Sequence, residues 1–171
     1  MPRNIEIKAR VASLAALTEA ARAIADHGPI EIAQDDTFFR CESGRLKLRA
    51  FSAHEGELIF YRRADAPGPR ESFYLRSPTA APDTLRKTLA LACGIAGRVI
   101  KQRTLFLAGR TRIHLDRVQG LGDYMELEVV LADGESAEAG IAEARRLMQR
   151  LGVPETALVE GAYVDLLADR A

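Results

Sequence analysis

Apolar and polar residues alternate with a period of two along most of this chain, and in one segment after another the polar partner is charged. In NIEIKARV, residues 4–11, Ile5, Ile7, Ala9 and Val11 share one face while Glu6, Lys8 and Arg10 share the other, because successive side chains of a strand point to opposite sides. The same reading puts Lys47 and Arg49 on one face of RLKLRAF, Lys101 and Arg103 on one face of VIKQRTLF, and Arg112, His114 and Asp116 on one face of TRIHLD. Glu126 and Glu128 follow on the strand beyond residues 120–122. In ELIFYRR, Arg62 falls with Leu58 and Phe60, opposite Tyr61 and Arg63.

Three segments carry helical spacing instead. Ser13 is a predicted N-cap for a helix with Leu14, Leu17, Ala21 and Ile24 on one face and Gly28 as its stop. Pro82 opens a second helix that aligns Leu85, Leu89 and Ala92 before Gly94. A third begins near Ser136, with Ile141, Ala144, Met148 and Leu151 on a stripe and Gly152 as terminator. The segment DAPGPRES, residues 65–72, reads as a loop.

A sheet with one charged face has two resolutions. Left open, it turns the charges to water and packs helices on the apolar side. Closed into a barrel, it encloses the charges, which then need partners, water or a ligand. Alternation alone leaves both open. The enclosed arrangement suits a polyanion and its metal, since Lys and Arg hold phosphoryl oxygens and carboxylates hold Mg2+ or Mn2+. Glu126 and Glu128, two apart on a strand, have Cα atoms roughly 6.5 to 7 Å apart on one face.

Composition narrows the field. At 171 residues the chain is expected to form one domain over residues 1–171. Lys plus Arg and Asp plus Glu number 24 each, and aromatic residues are 6%, which argues against nucleic acid as a partner. No stretch has the length of a membrane span and the N-terminus has no signal-like apolar run, so a cytoplasmic location is expected. Cys41 and Cys93 read as small buried residues of a reducing compartment.

In order along the chain, NIEIK, QDDTFF, GRLKLR, LIFYRR, VIKQR, RIHLDRVQGLGDYMELEV and AYVDLL resemble the CYTH superfamily of class IV adenylate cyclases and of thiamine and inorganic triphosphatases. The resemblance implies an α+β fold, a closed antiparallel eight-stranded tunnel barrel with helices packed outside, and a divalent-metal-dependent reaction on a triphosphate. It implies Glu6, Glu126, Glu128 and Asp116 as metal-binding carboxylates. It implies Lys8, Lys47, Arg49, Arg62, Lys101, Arg103 and Arg112 as the basic lining, with Lys8, Arg112 and Asp116 catalytic. The turn around residues 114–123 is most similar to the cyclase branch, which converts ATP to cyclic AMP and pyrophosphate; a triphosphatase is the alternative. A homodimer is also in keeping with the resemblance.

One position departs from the family pattern: Asn4 stands where the first motif glutamate is expected. A neutral amide weakens a site for a second hard cation. Either Asp116 supplies the missing charge, or the protein binds polyphosphate without turning it over. His114 reads as a hydrogen-bonding support or a general base, and His27 as a helix C-terminal residue. Tyr61, Tyr124 and Tyr163 read as structural strand residues, with stacking on a base as the alternative, and the Gly-Leu-Gly at 120–122 as a tight turn.

Overall fold

A computed structural model describes residues 3–63 and 68–170. Eight strands close into an antiparallel barrel: β1 (Arg3–Arg10), β2 (His27–Phe39), β3 (Arg45–Ala50), β4 (Gly56–Arg63), β5 (Arg70–Thr79), β6 (Ile95–Ala108), β7 (Thr111–Val118) and β8 (Gly122–Val130). Around the ring their order is β1, β5, β4, β3, β2, β6, β7, β8. The helices are α1 (Leu14–Ile24), α2 (Pro82–Cys93), α3 (Ala137–Arg150) and α4 (Tyr163–Ala168). Among the described residues, no helix is long and apolar enough to cross a membrane.

The main hydrophobic core lies outside the barrel wall. Ile7, Ala9, Phe106, Ile113, Leu115, Met125 and Leu127 project outward from β1, β6, β7 and β8 and bury against Leu17 and Ala21 of α1 and Leu147 and Met148 of α3. Ile5 and Val129 pack on Ala144 in the same layer. Burying these apolar faces outside the wall is what turns Glu6, Lys8, His114 and Glu126 inward, since the pleat allows no other choice. Gly140 lets α3 sit directly on β1, because a Cβ there would come within 2.6 Å of Ile5 Cγ1. A second, smaller cluster closes one end of the barrel, where Phe38, Val99, Val118 and Tyr124 meet Tyr163 at the start of α4.

Several expected boundaries move. α1 ends at Ile24 with Ala25 as its cap, and Gly28 belongs to β2. A Cβ at Gly28 would lie 2.7 Å from the Leu105 carbonyl oxygen, so this glycine serves close strand approach rather than helix termination. His27 accordingly opens β2 and lies beyond the helix end. Residues 70–72, expected in a loop, form the start of β5, while 65–67 lie outside the described residues. Ala92 is exposed, so the apolar stripe of α2 stops at Leu89. Cys41 and Cys93 are only partly buried. The helix α3, with Ser136 as its N-cap residue, and the turn joining β7 to β8 lie where the sequence puts them.

Candidate functional site, a charged tunnel

The barrel encloses a cavity of about 340 Å³. Glu6, Lys8, Lys47, Arg49, Lys101, Arg103, Arg112, Glu126 and Glu128 all line it, as the sequence reading expected. Strand register explains how they meet. β8 lies between β1 and β7, so Glu128 is flanked by Glu6 and Arg112, and one step along, Glu126 is flanked by Lys8 and His114.

At the end closed by α4 the charges are locked together. Asp116 is fully buried and receives Arg103 Nε at 2.7 Å and Nη2 at 2.7 Å, Lys101 Nζ at 2.9 Å and the Tyr163 hydroxyl at 3.0 Å. Burial raises its pKa, but Arg103 and Lys101 more than offset this and hold the carboxyl far below the usual range. Glu126 joins the network, 2.7 Å from Arg103 Nη2 and 3.3 Å from Lys8 Nζ. Lys8 Nζ also donates to the Gly161 carbonyl at 2.9 Å and lies 4.1 Å from the centre of the Tyr163 ring. Bidentate bonds from Arg45 to Asp165, 3.0 and 2.7 Å, fasten α4 to the barrel rim.

A second triad occupies the adjoining strands β2 and β3, with β2 hydrogen-bonded to the β6 strand that carries Lys101 and Arg103. Asp36 accepts from Lys47 Nζ at 2.9 Å and from Arg49 Nε and Nη2 at 2.8 and 2.7 Å. Its carboxyl is likewise held far below the ordinary range: Arg49 and Lys47 outweigh the opposing effect of burial. Burial and the neighbouring Arg49 bring the Lys47 ammonium down to about 8, with Asp36 opposing them.

Towards the open end the charges are less fully engaged. Glu128 accepts from Arg112 Nη1 at 3.1 Å through one oxygen, and its other oxygen lies 3.7 Å from His114 Nδ1, beyond hydrogen-bond range. Burial, helped by Arg103, lowers the His114 pKa to about 4, so the ring is neutral near pH 7. Arg112 and Arg76 mark the mouth, their side chains 32% and 50% exposed. Asn4 and Ser72 face each other on β1 and β5, and Asn4 Oδ1 and Ser72 Oγ are buried without a hydrogen-bond partner.

Two expected site residues lie elsewhere. Arg62 is on the outer face of β4, where its Nε donates to the Ser43 carbonyl at 2.7 Å and its guanidinium covers the Phe60 ring. Tyr61 takes the inward position instead, as strand alternation requires. Asp116 does not line the cavity, because two cations and a phenol stand between it and the space a metal would occupy. Nor does it replace the glutamate missing at residue 4. Asp116 pairs with Tyr124 of β8 and Asn4 with Val130, six residues or roughly 20 Å apart along that strand.

Asp36 is not among the site residues expected from the sequence, although it alternates with Gln34 and Phe38 inside QDDTFF. Tyr163, expected on a strand, belongs instead to α4, and its side chain touches three groups of the charge network, Lys8, Lys101 and Asp116.

The fold is shared by proteins of very different sequence. A Pyrococcus horikoshii protein superposes with a TM-score of 0.84 at 21% identity, over 96% of this chain and 99% of that one. A Vibrio parahaemolyticus protein described as a candidate adenylate cyclase gives 0.71 at 18%, over 96% and 97%. A Hippeastrum protein described as a candidate adenylyl cyclase with a dominant triphosphatase activity gives 0.69 at 15%, over 98% and 96%. No curated protein matches. The CYTH domain pattern matches residues 2–163, the whole barrel with α1, α2 and α3 up to the first residue of α4, and on that match the chain belongs to the CYTH family.

Proposed function

We propose that this chain is a divalent-metal-dependent enzyme acting on a triphosphate-containing small molecule, with cyclisation of ATP as the first reading. The observation that carries it is the arrangement of one cavity: seven cationic side chains, Lys8, Lys47, Arg49, Lys101, Arg103, Arg112 and, at the mouth, Arg76, converge on a space that also holds Glu6, Glu126 and Glu128. The cations suit phosphoryl oxygens held at several points at once.

Asp36 and Asp116 orient these cations before a substrate arrives. Arg49 and Arg103 each direct Nε and Nη2 at an aspartate, which leaves further N–H donors of each guanidinium for a ligand. Fixing donors in advance removes reorganisation from the reaction and strengthens their stabilisation of developing charge. Asp116 thus acts through Lys101 and Arg103 as a positioning residue, while Lys8 and Arg112 contact the phosphates.

The donor set also fits a hard cation. Glu6 and Glu128 are direct cross-strand neighbours, and carboxylates side by side offer oxygen ligands to one hard cation. Mg2+ or Mn2+ held by Glu6, Glu126 and Glu128 would neutralise phosphate charge and polarise the P–O bond. Asn4 would contribute a neutral oxygen at the edge of that set.

The turn RIHLDRVQGLGD, most similar to the cyclase branch, favours attack by a ribose hydroxyl with release of pyrophosphate. Hydrolysis of a triphosphate is the second reading, favoured by the dominant triphosphatase activity of the Hippeastrum relative in fold.

Phosphorus NMR of the protein with ATP and tripolyphosphate, under Mg2+ and then Mn2+, tests both. A cyclic phosphodiester rising with pyrophosphate establishes the cyclase. Loss of tripolyphosphate with ATP untouched establishes the phosphatase. An unchanged spectrum under both metals overturns the enzyme assignment and leaves a polyphosphate-binding protein.

A further inference from the structure

His114 is not accounted for by the charge network around it. The residue is 4% exposed and lies on the tunnel side of β7, directly opposite Glu126 in register. Its Nδ1 is buried and has no hydrogen-bond partner. A buried ring nitrogen without a partner is costly unless something else engages it. Glu128 Oε1 is 3.7 Å away, too far for a hydrogen bond.

That spacing has another reading. Ligand atoms about 2.0 to 2.2 Å from one cation are separated by roughly 3 Å when adjacent and about 4 Å when opposite. The 3.7 Å between Nδ1 and Oε1 falls inside this interval. One ligand atom from each of His114, Glu126 and Glu128 lies within 4.8 Å of the others. The surroundings also hold the carboxylates in place: Arg112 engages Glu128, and Arg103 and Lys8 engage Glu126. Such supporting contacts orient ligands in metal sites.

We propose that His114, Glu126 and Glu128 form a mixed nitrogen and oxygen cation site, which selects a first-row transition ion of the Mn2+ type over Mg2+. The inference rests on the metal-dependent reading above and sharpens it. Mg2+ is bound through oxygen and keeps much of its water, whereas Mn2+ shares its preference for carboxylates but, as a first-row transition ion, accepts an imidazole nitrogen more readily than Mg2+ does. A histidine inside the ligand set therefore raises Mn2+ affinity without a matching gain for Mg2+.

The test uses Mn2+ itself as the probe, on the full chain without nucleotide. Titration followed by electron paramagnetic resonance measures binding, and electron spin echo modulation reports a 14N nucleus bonded to the ion. The wild type is expected to bind Mn2+ with imidazole 14N modulation, and competition should show Mg2+ displacing it poorly. His114→Phe keeps a ring but no donor, and should weaken Mn2+ binding on the order of 10- to 100-fold while leaving Mg2+ affinity little changed. His114→Asn offers an amide oxygen near the Nδ1 position; it should bind Mn2+ without 14N modulation and lose the discrimination against Mg2+.

Mn2+ binding without 14N modulation, or equal affinity in His114→Phe, overturns the proposal, as does failure of the wild type to bind Mn2+. Turnover measured separately distinguishes the two readings. An active enzyme lacking the 14N signal defeats only the role of His114. A protein showing the signal but no turnover of ATP or tripolyphosphate keeps the metal site and defeats the enzyme assignment.

Discussion

The two ends of the tunnel use the same residue types in opposite ways. At the end closed by α4, Asp116 is fully buried, accepts from three side chains and has no face towards the cavity. Towards the mouth, Glu128 keeps 19% of its side chain exposed, accepts one bond from Arg112 and sits beside another carboxylate, Glu6. One acid is saturated by protein donors, and the other retains capacity for a ligand. A carboxylate inside a tunnel is therefore a counter-ion or a ligand-binding group according to how many cations reach it. Position on the inward face alone does not decide which.

The largest effect expected from this contrast is on turnover. Glu128→Gln should lower activity on ATP or tripolyphosphate by on the order of a hundredfold or more, read by initial rates at saturating metal. Wild-type rates would place the metal elsewhere.

Asp36 tests the opposite role. Asp36→Asn leaves a buried position without the charge that pairs with two largely enclosed cations, and should cost about 3 kcal/mol in urea unfolding at neutral pH. Its native pKa lies below the unfolded value of 3.8, so its stabilisation is present above about pH 4 and is lost as pH falls. The variant should consequently show a shallower loss of stability on acidification below pH 4.

Lys47 gives a smaller, pH-dependent signal. With its pKa at about 8 in the fold, its charge is lost above that pH, and kcat/KM should drop roughly tenfold by pH 9 if the charge is required. Lys47→Arg should flatten that limb. Stability moves the other way: between 8 and 10.5 the unfolded chain binds the proton more often than the native one, so folding becomes more favourable as pH rises through that window.

Arg62→Ala should do least. With its guanidinium outside the barrel, the change is expected to leave kcat/KM unaltered and stability within about 0.5 kcal/mol. A marked rise in KM would bring Arg62 back into the phosphate site.

Much of the barrel was legible because burial of one face imposes strict alternation on β1, β3, β6, β7 and β8. β2 and β5 were harder to read. The inward face of β2 mixes Ile32, Gln34, Asp36 and Phe38, so its pattern is broken by the closed apolar end, and β5 carries Pro78 near its terminus. α4 has six residues, too few for helical periodicity to register.

At the site, alternation placed Arg62 correctly beside Leu58 and Phe60, and the family resemblance misplaced it inside. Asp116 shows what alternation leaves out. Its inward direction was readable, but its capture by Tyr163 depends on a contact 47 residues away in sequence. Such saturation arises from tertiary packing, which no local pattern encodes.

The most direct test of the division between the two ends is equilibrium urea unfolding of Asp116→Asn and Glu128→Gln side by side, in chelator and at neutral pH. Asp116→Asn should lose about 3 to 5 kcal/mol, as expected when buried cations lose their partner. Glu128→Gln should stay within about 1 kcal/mol of wild type, since one partly exposed ion pair contributes little. Equal losses in the two variants would contradict the contrast, and would make both carboxylates structural members of a single network.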